Sequence, residues 1–324
     1  MWRHPKESWQ GESRQDHKLV RKLNSELHLQ SRLKPVWTRR VKCLLESLIW
    51  SFICNHPDTT KTRNKDDGNQ ASILPSITFR FKTVFGTGFT AGYGDSDPYP
   101  SRSVKTEAFD IQELADQLQI GSKFYVVGVS FGAYPVWSCL KLSGASLVVP
   151  FLNFWWPIFP ANLSREAFRR LPSSHRRTIR IAHYTPWLIY WWMTQTWFPS
   201  LITDQGAMFN DQDLEILKSL LEAPSVGEEK IKQQGVYESL HRDILVGYGK
   251  WEFDLLDINN PFPNNDGAVH IWQAYADRII PFKLNRYISE KLPWICYHEV
   301  PDGGHMIFLK SEICEAILRA LLLG

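Results

Sequence analysis

The stretch Tyr125-Val-Val-Gly-Val-Ser-Phe-Gly-Ala-Tyr134 constrains this chain more than any other. Gly128-Val129-Ser130-Phe131-Gly132 fits G-x-S-x-G, and Lys123 to Val127 ahead of it reads as a buried strand. A serine between a strand and a helix start sits on a strained turn, so the positions two residues before and after it, Gly128 and Gly132, must lack bulk. The turn pushes Oγ out of the sheet and aims the next backbone N–H, that of Phe131, at the same space. By chance such a pentapeptide turns up in about one chain in ten of this length. The strand before it, and the helix expected from Tyr134 to Leu142, give it weight.

Downstream residues supply the partners a serine nucleophile needs, in the order serine, acid, histidine. Ala268 to Gln273 reads as a strand and runs into Ala274-Tyr-Ala-Asp-Arg-Ile-Ile-Pro281. Asp277, in a loop after a strand, suits a carboxylate that fixes an imidazole tautomer; the plainer alternatives are a helix cap or a surface pair with Arg278. Asp254, Asp257 and Asp266 are rivals, but they precede that strand. Trp294 to Val300 is another strand, followed by Pro301-Asp-Gly-Gly-His305. His305 can swing over the sheet edge toward Ser130. His298, inside the strand, reads as a packed or surface residue, and His183, His241 and His270 carry no local signal. A serine at position 130, where a carboxylate would suit dehalogenase-type chemistry, points to ester, thioester or amide substrates.

Strands alternating with helices predict an α/β fold with a mostly parallel sheet. A strand is expected over Ile77–Phe89, a helix over Val104–Leu118, a strand over Ala145–Pro150 and a closing helix over Ser311–Leu323. The expected core is residues 77–150 with 259–324. Residues 151–258 break the rhythm, with helices near 164–171, 210–222 and 228–247 and many aromatics. Placed there, such an insertion suits a lid. Trp155, Trp156, Trp187 and Trp191 are candidate substrate or lid residues, against the plainer reading that they form the insertion's own core.

Residues 1–76 are a divergent basic segment. Within it, residues 36–54 have apolar positions at helical spacing (44, 45, 48, 49, 52, 53) and read as an amphipathic helix that either docks on the protein or lies on a membrane surface. No run of 18 apolar residues occurs. The 324 residues carry a net charge of only +3, which gives no argument for nucleic acid. The five scattered cysteines show no metal spacing and read as free thiols. No metal or organic cofactor is implied. The expected compartment is cytoplasmic or peripherally membrane-associated rather than secreted.

With these residues in view, the chain resembles the α/β-hydrolase superfamily, and within it a group of plant α/β-hydrolase-fold proteins of uncharacterised substrate. The resemblance covers residues 82–324. It is carried by Gly92-Tyr-Gly-Asp-Ser-Asp-Pro98, the Ser130 stretch, Asn153-Phe-Trp-Trp-Pro157, Ala182-His-Tyr-Thr-Pro-Trp187, Glu238-Ser-Leu-His-Arg-Asp243, Asn259 to Asn265, Trp272-Gln273 leading to Asp277, and Gly303-Gly-His305. It implies a Ser130–His305–Asp277 triad and a serine hydrolase, carboxylesterase- or lipase-like, acting on a small and apolar acyl substrate through an acyl-enzyme. The family's His-Gly oxyanion loop has no counterpart: no His-Gly dipeptide precedes residue 128. A backbone N–H near Gly88 or Phe89 is the expected second oxyanion donor beside that of Phe131. At least one opening strand is expected to be missing. Losing one donor would cost about 10²–10³ in rate, so the rival expectation is an impaired or inactive protein that binds an apolar ligand or a partner.

Overall fold

The computed structural model describes residues 50–55, 84–86, 97–117, 124–140, 144–201, 208–222, 237–265 and 267–323. Six strands form one sheet: β1 (Trp50–Asn55), β2 (Val84–Gly86), β3 (Phe124–Val129), β4 (Gly144–Val148), β5 (Val269–Ala274) and β6 (Ile295–Val300), in the order β2-β1-β3-β4-β5-β6. Strands β3 to β6 run parallel, with Val129 opposite Val148, Val148 opposite Trp272, and Ala274 opposite Val300. Every residue of β3, β4 and β5 is buried. Their near-continuous apolar runs are what parallel strands covered on both faces require.

Helix α1 (Val104–Gln117) precedes β3. Between β4 and β5, residues 151–258 contain α2 (Ala161–Arg170), α3 (Ser173–Tyr184), α4 (Ile189–Thr194), α5 (Asp211–Glu222) and α6 (Glu238–Tyr248). Helix α7 (Phe282–Lys291) packs on β5 and β6, and α8 (Ser311–Leu323) on β4 and β5. An α/β fold with a mostly parallel sheet and a helical insertion is the architecture expected from the sequence.

Two local expectations are corrected, and a third falls partly outside the described residues. The amphipathic helix over residues 36–54 does not extend to its end: Trp50–Asn55 is a strand, antiparallel to both β2 and β3, and residues 36–49 lie outside the described residues. A short apolar run rich in aromatic and branched residues satisfies either period, and sheet pairing decides it. Because β1 and β2 lie beyond β3, the Ser130 strand is not the sheet edge. The strand expected over Ile77–Phe89 is described at Val84–Gly86. The helix expected from Tyr134 to Leu142 is instead two short 3₁₀ turns, Ser130–Ala133 and Val136–Ser138. Pro135 has no N–H for an i→i−4 bond to the Phe131 carbonyl. Tyr134 N donates to that oxygen instead, at 3.0 Å.

Aromatic packing joins the insertion to the sheet. The Phe131 and Phe151 rings lie 4.6 Å apart, Phe151 and Tyr248 4.9 Å, and Trp156 and Trp251 4.7 Å. Asn153 Nδ2 donates to the Gly247 and Gly249 carbonyls at 3.0 Å each, the Trp251 indole donates to Gly247 at 3.1 Å, and His183 Nδ1 lies 2.7 Å from the Tyr248 carbonyl. Carbonyls at a helix C-terminus lack intrahelical donors, and these side chains satisfy them at α6.

A buried polar network forms a second link. Arg102, ahead of α1, pairs with Asp243 on α6 and lies 3.4 Å from Glu107 on α1. Tyr134 donates its hydroxyl to Glu107 at 2.6 Å. Burial pushes the Glu107 carboxyl up from its ordinary 4.5 to about 8, against the pull of Arg102. The folded protein therefore keeps a proton there that the unfolded chain has released. Stability contributed by Glu107 falls as pH rises from about 4.5 to about 8 and is flat above. Glu107→Gln, which keeps an acceptor for Tyr134, is expected to flatten that part of the stability–pH curve, measured by urea unfolding across the window.

Candidate active site

Ser130 follows the last residue of β3 with φ of 51°, one of three positive-φ non-glycine residues among those described; Val149 (φ 43°), just past β4, is another. Such geometry costs about 1–3 kcal/mol per residue and persists only where surroundings enforce it. Here the enforcement is steric and hydrogen-bonded. A Cβ on Gly128 would lie 2.7 Å from the Ala133 Cα and from the Gly132 carbonyl oxygen, so only glycine lets the chain fold back that tightly. The Ser130 carbonyl accepts from Phe151 N at 3.0 Å, which ties the turn to the chain leaving β4.

The three polar side chains singled out in the sequence converge. His305 Nε2 lies 2.9 Å from Ser130 Oγ, and His305 Nδ1 lies 2.9 Å from Asp277 Oδ2. All three residues are buried, His305 to 1 % exposure. Asp277 Oδ1 accepts from Ile279 N at 2.8 Å and Ile280 N at 2.9 Å, so the turn after β5 holds one carboxylate oxygen and frees the other for His305. The same carboxylate thus caps the turn and contacts the His305 ring, two arrangements that the sequence presented as alternatives. Gln273 at the end of β5 accepts from Asn285 of α7 at 2.7 Å and donates to the Ile280 carbonyl at 3.2 Å, bracing this loop.

Sequence reasoning missed Asp213. It sits in the first turn of α5, 1 % exposed. Asn210 and Asp213 cap that helix reciprocally: Asp213 N donates to Asn210 Oδ1 at 2.8 Å and Asn210 N to Asp213 Oδ2 at 3.4 Å. The Asp213 carboxylate also accepts from two consecutive backbone amides of the histidine loop, His305 N at 2.9 Å and Met306 N at 2.8 Å. Asn210 Nδ2 reaches the Ala276 carbonyl, beside Asp277, at 3.2 Å. One helix start in the insertion thereby fixes both loops. A Cβ on Gly304 would come within 2.3 Å and 2.4 Å of the two Asp213 carboxylate oxygens, which explains the glycine before His305. The N-x-x-D spacing was the available signal, but it announces only a helix start.

Burial acts most strongly on the His305 imidazole and lowers its pKa. The Asp277 charge and hydrogen bond and the Asp213 charge outweigh it, so the group ends above its ordinary value. His270 and His298 are elsewhere engaged. Their rings are hydrogen-bonded at 3.0 Å, and burial pushes His270 down to about 4.

The other candidates separate. Phe131 packs its ring under α6 beside Phe151, leaving its N–H the next along the chain from Ser130. Gly88 and Phe89 lie outside the described residues. Trp156 is core, packed on Trp137 and Trp251 and not available to a ligand. Trp155 is half-buried, stacked on His183 at 3.9 Å and bonded to the Tyr184 hydroxyl at 2.8 Å. Trp187 and Trp191 are exposed on the insertion. Among the described residues no three histidine, cysteine or carboxylate side chains group as metal ligands.

A parallel sheet with a strained serine after its central strand, an acid after a later strand and a histidine after the last define the α/β-hydrolase fold. The alpha/beta hydrolase family pattern matches residues 85–316, and the chain belongs to that family. No curated protein matches the sequence. Similar solved structures include a thermophilic esterase from Thermogutta terrifontis (17% identity, 71% of this chain and 76% of that one, TM-score 0.47). A hydrolase from Oleispira antarctica (13%, 75% and 84%, 0.47) and a monoacylglycerol lipase from Paleococcus ferrophilus (18%, 74% and 80%, 0.38) are also similar. Likenesses at these scores add nothing to the family match.

Asp213→Asn removes a charge that favours the imidazolium. It is expected to lower the His305 pKa, read by NMR titration of labelled histidine, and to cost about 1.5–3 kcal/mol of stability in denaturant unfolding. An unmoved His305 titration would show that Asp213 does not act on the imidazole.

Proposed function

We propose that the protein is a serine hydrolase that cleaves an ester or related acyl substrate. The observation that carries this reading is the double contact of His305, at 2.9 Å to Ser130 Oγ and 2.9 Å to Asp277 Oδ2. His305 Nε2 takes the Ser130 proton as Oγ attacks the substrate carbonyl carbon, and Asp277 holds the tautomer and stabilises the imidazolium. The tetrahedral oxyanion accepts from Phe131 N–H. The intermediate collapses to an acyl-enzyme as His305 passes its proton to the leaving alcohol. Water, deprotonated by His305, then attacks the acyl carbon and regenerates Ser130.

The helices between β4 and β5 act in this reading as a lid that excludes water and shapes an apolar acyl pocket. A peripheral membrane contact through the basic N-terminal segment is a separate proposal that rests on sequence alone.

A fluorophosphonate probe tests the reading directly. It is expected to label the folded protein and to leave Ser130→Ala unlabelled; equal labelling of both, or none of a folded wild type, would overturn it. Once a substrate is found, Asp277→Asn is expected to lower kcat by about 10⁴, the scale of the equivalent change in a serine protease triad. A loss under tenfold would remove Asp277 from the role given to it.

A further inference from the structure

The insertion exposes a run of large aromatics that its own core does not use. Helix α4 (Ile-Tyr-Trp-Trp-Met-Thr) is apolar or aromatic at every position but Thr194. Ile189, Trp192 and Met193 are buried, while Tyr190 and Trp191 face solvent. On either side of it Trp187 is 75 % exposed and Trp197 77 %, with Tyr184 and Phe198 more than half exposed. A helix apolar on both faces needs a second apolar surface. The segment is held out rather than loose: Gln195 donates to the Phe198 carbonyl and accepts from Phe198 N, both at 2.8 Å, and Trp191 and Trp197 meet edge to face.

Charge says what the second surface is. Residues 161–200 hold six arginines against one glutamate. Arg177, Arg180 and Tyr184 line the exposed stripe of α3 at spacings of three and four, and that stripe leads into Trp187. Arg177 sits over the Trp192 ring, which stacks on Phe198, so the basic stripe and the aromatic tip are contiguous. Among the described residues no carboxylate lies within ion-pair distance of Arg177 or Arg180. Tryptophan and tyrosine prefer the boundary between lipid headgroups and chains, and arginine lays its stem on apolar surface while its head meets phosphate. Among the described residues no helix is long and apolar enough to cross a membrane. We propose that the aromatic tip and arginine stripe of α3 and α4 dock this protein on an anionic lipid surface.

The test uses full-length Ser130→Ala protein, so its outcome is independent of the hydrolase reading. It measures co-sedimentation with vesicles of phosphatidylcholine alone or mixed with phosphatidylglycerol. The expected result is binding at least about tenfold tighter to the anionic vesicles, weakened by salt. W187A/W197A, at exposed positions that carry no core packing, is expected to lose about tenfold, and R177E/R180E to lose the anionic preference. Salt dependence of the parent protein reads the charge contribution even where the arginine variant fails to fold. No binding to anionic vesicles would overturn the proposal. So would binding that W187A/W197A leaves intact, which would move the contact to another part of the chain. A dimer that W187A/W197A dissolves, without vesicle binding, would make a second copy the occupant instead.

Discussion

Ser130 is held at a φ of 51° at the mouth of a fully buried parallel strand, and much of the surrounding structure serves that one backbone angle. The chain must reverse within a few residues, so Gly128 has no room for a Cβ and the following residues form 3₁₀ turns rather than an α-helix. The Phe131 ring, carried on the turn, needs cover and finds it in Phe151 and Tyr248. Tyr248 ends α6, whose Gly247 is the position where a side chain would strike Phe151 and Phe131. A local strain at the serine is thus sustained by aromatic packing with a residue more than a hundred positions along the chain.

His305 is restrained by a different kind of force. Its ring contacts Ser130 and Asp277, but its backbone is set by Asp213, whose buried carboxylate takes two successive amides. Charge-assisted bonds of this type are short and directional, and losing one partner leaves a buried group uncompensated. Because Asn210 in the same capping pair also holds the Ala276 carbonyl, the acid loop and the histidine loop are registered against one another through α5. The insertion is in this sense part of the site's framework.

Ser130, Asp277 and His305, whose side chains meet in the structure, each carry a local signature in the sequence: glycines two positions away, an acid after a strand, a histidine after two glycines. What escaped has its cause outside the local window. Asp213 looks like an ordinary first-turn acid until the His305 loop is folded against it. Trp50–Asn55 carries an apolar pattern that fits a helix or a strand, and only pairing with β3 selects the strand. Helix α3 hides its period because its buried face is largely polar (Ser174, His175, Thr178), and α4 shows none because both its faces are largely apolar. His183 had no signal at all, because capping α6 is visible only once the Tyr248 carbonyl is in place.

Two buried polar links, Arg102 with Asp243 and Asp213 with the His305 loop, fasten α6 and α5 to the core. Buried charges of this kind add little net stability over well-packed apolar residues, but parting them is costly because each partner is left desolvated. Apolar contacts alone would let the insertion slide by a fraction of a helical turn at small cost. Directional carboxylate contacts do not tolerate such a slide. The apolar layer therefore supplies the cohesion between insertion and sheet, and the two polar links select one register for it, the register in which His305 faces Ser130.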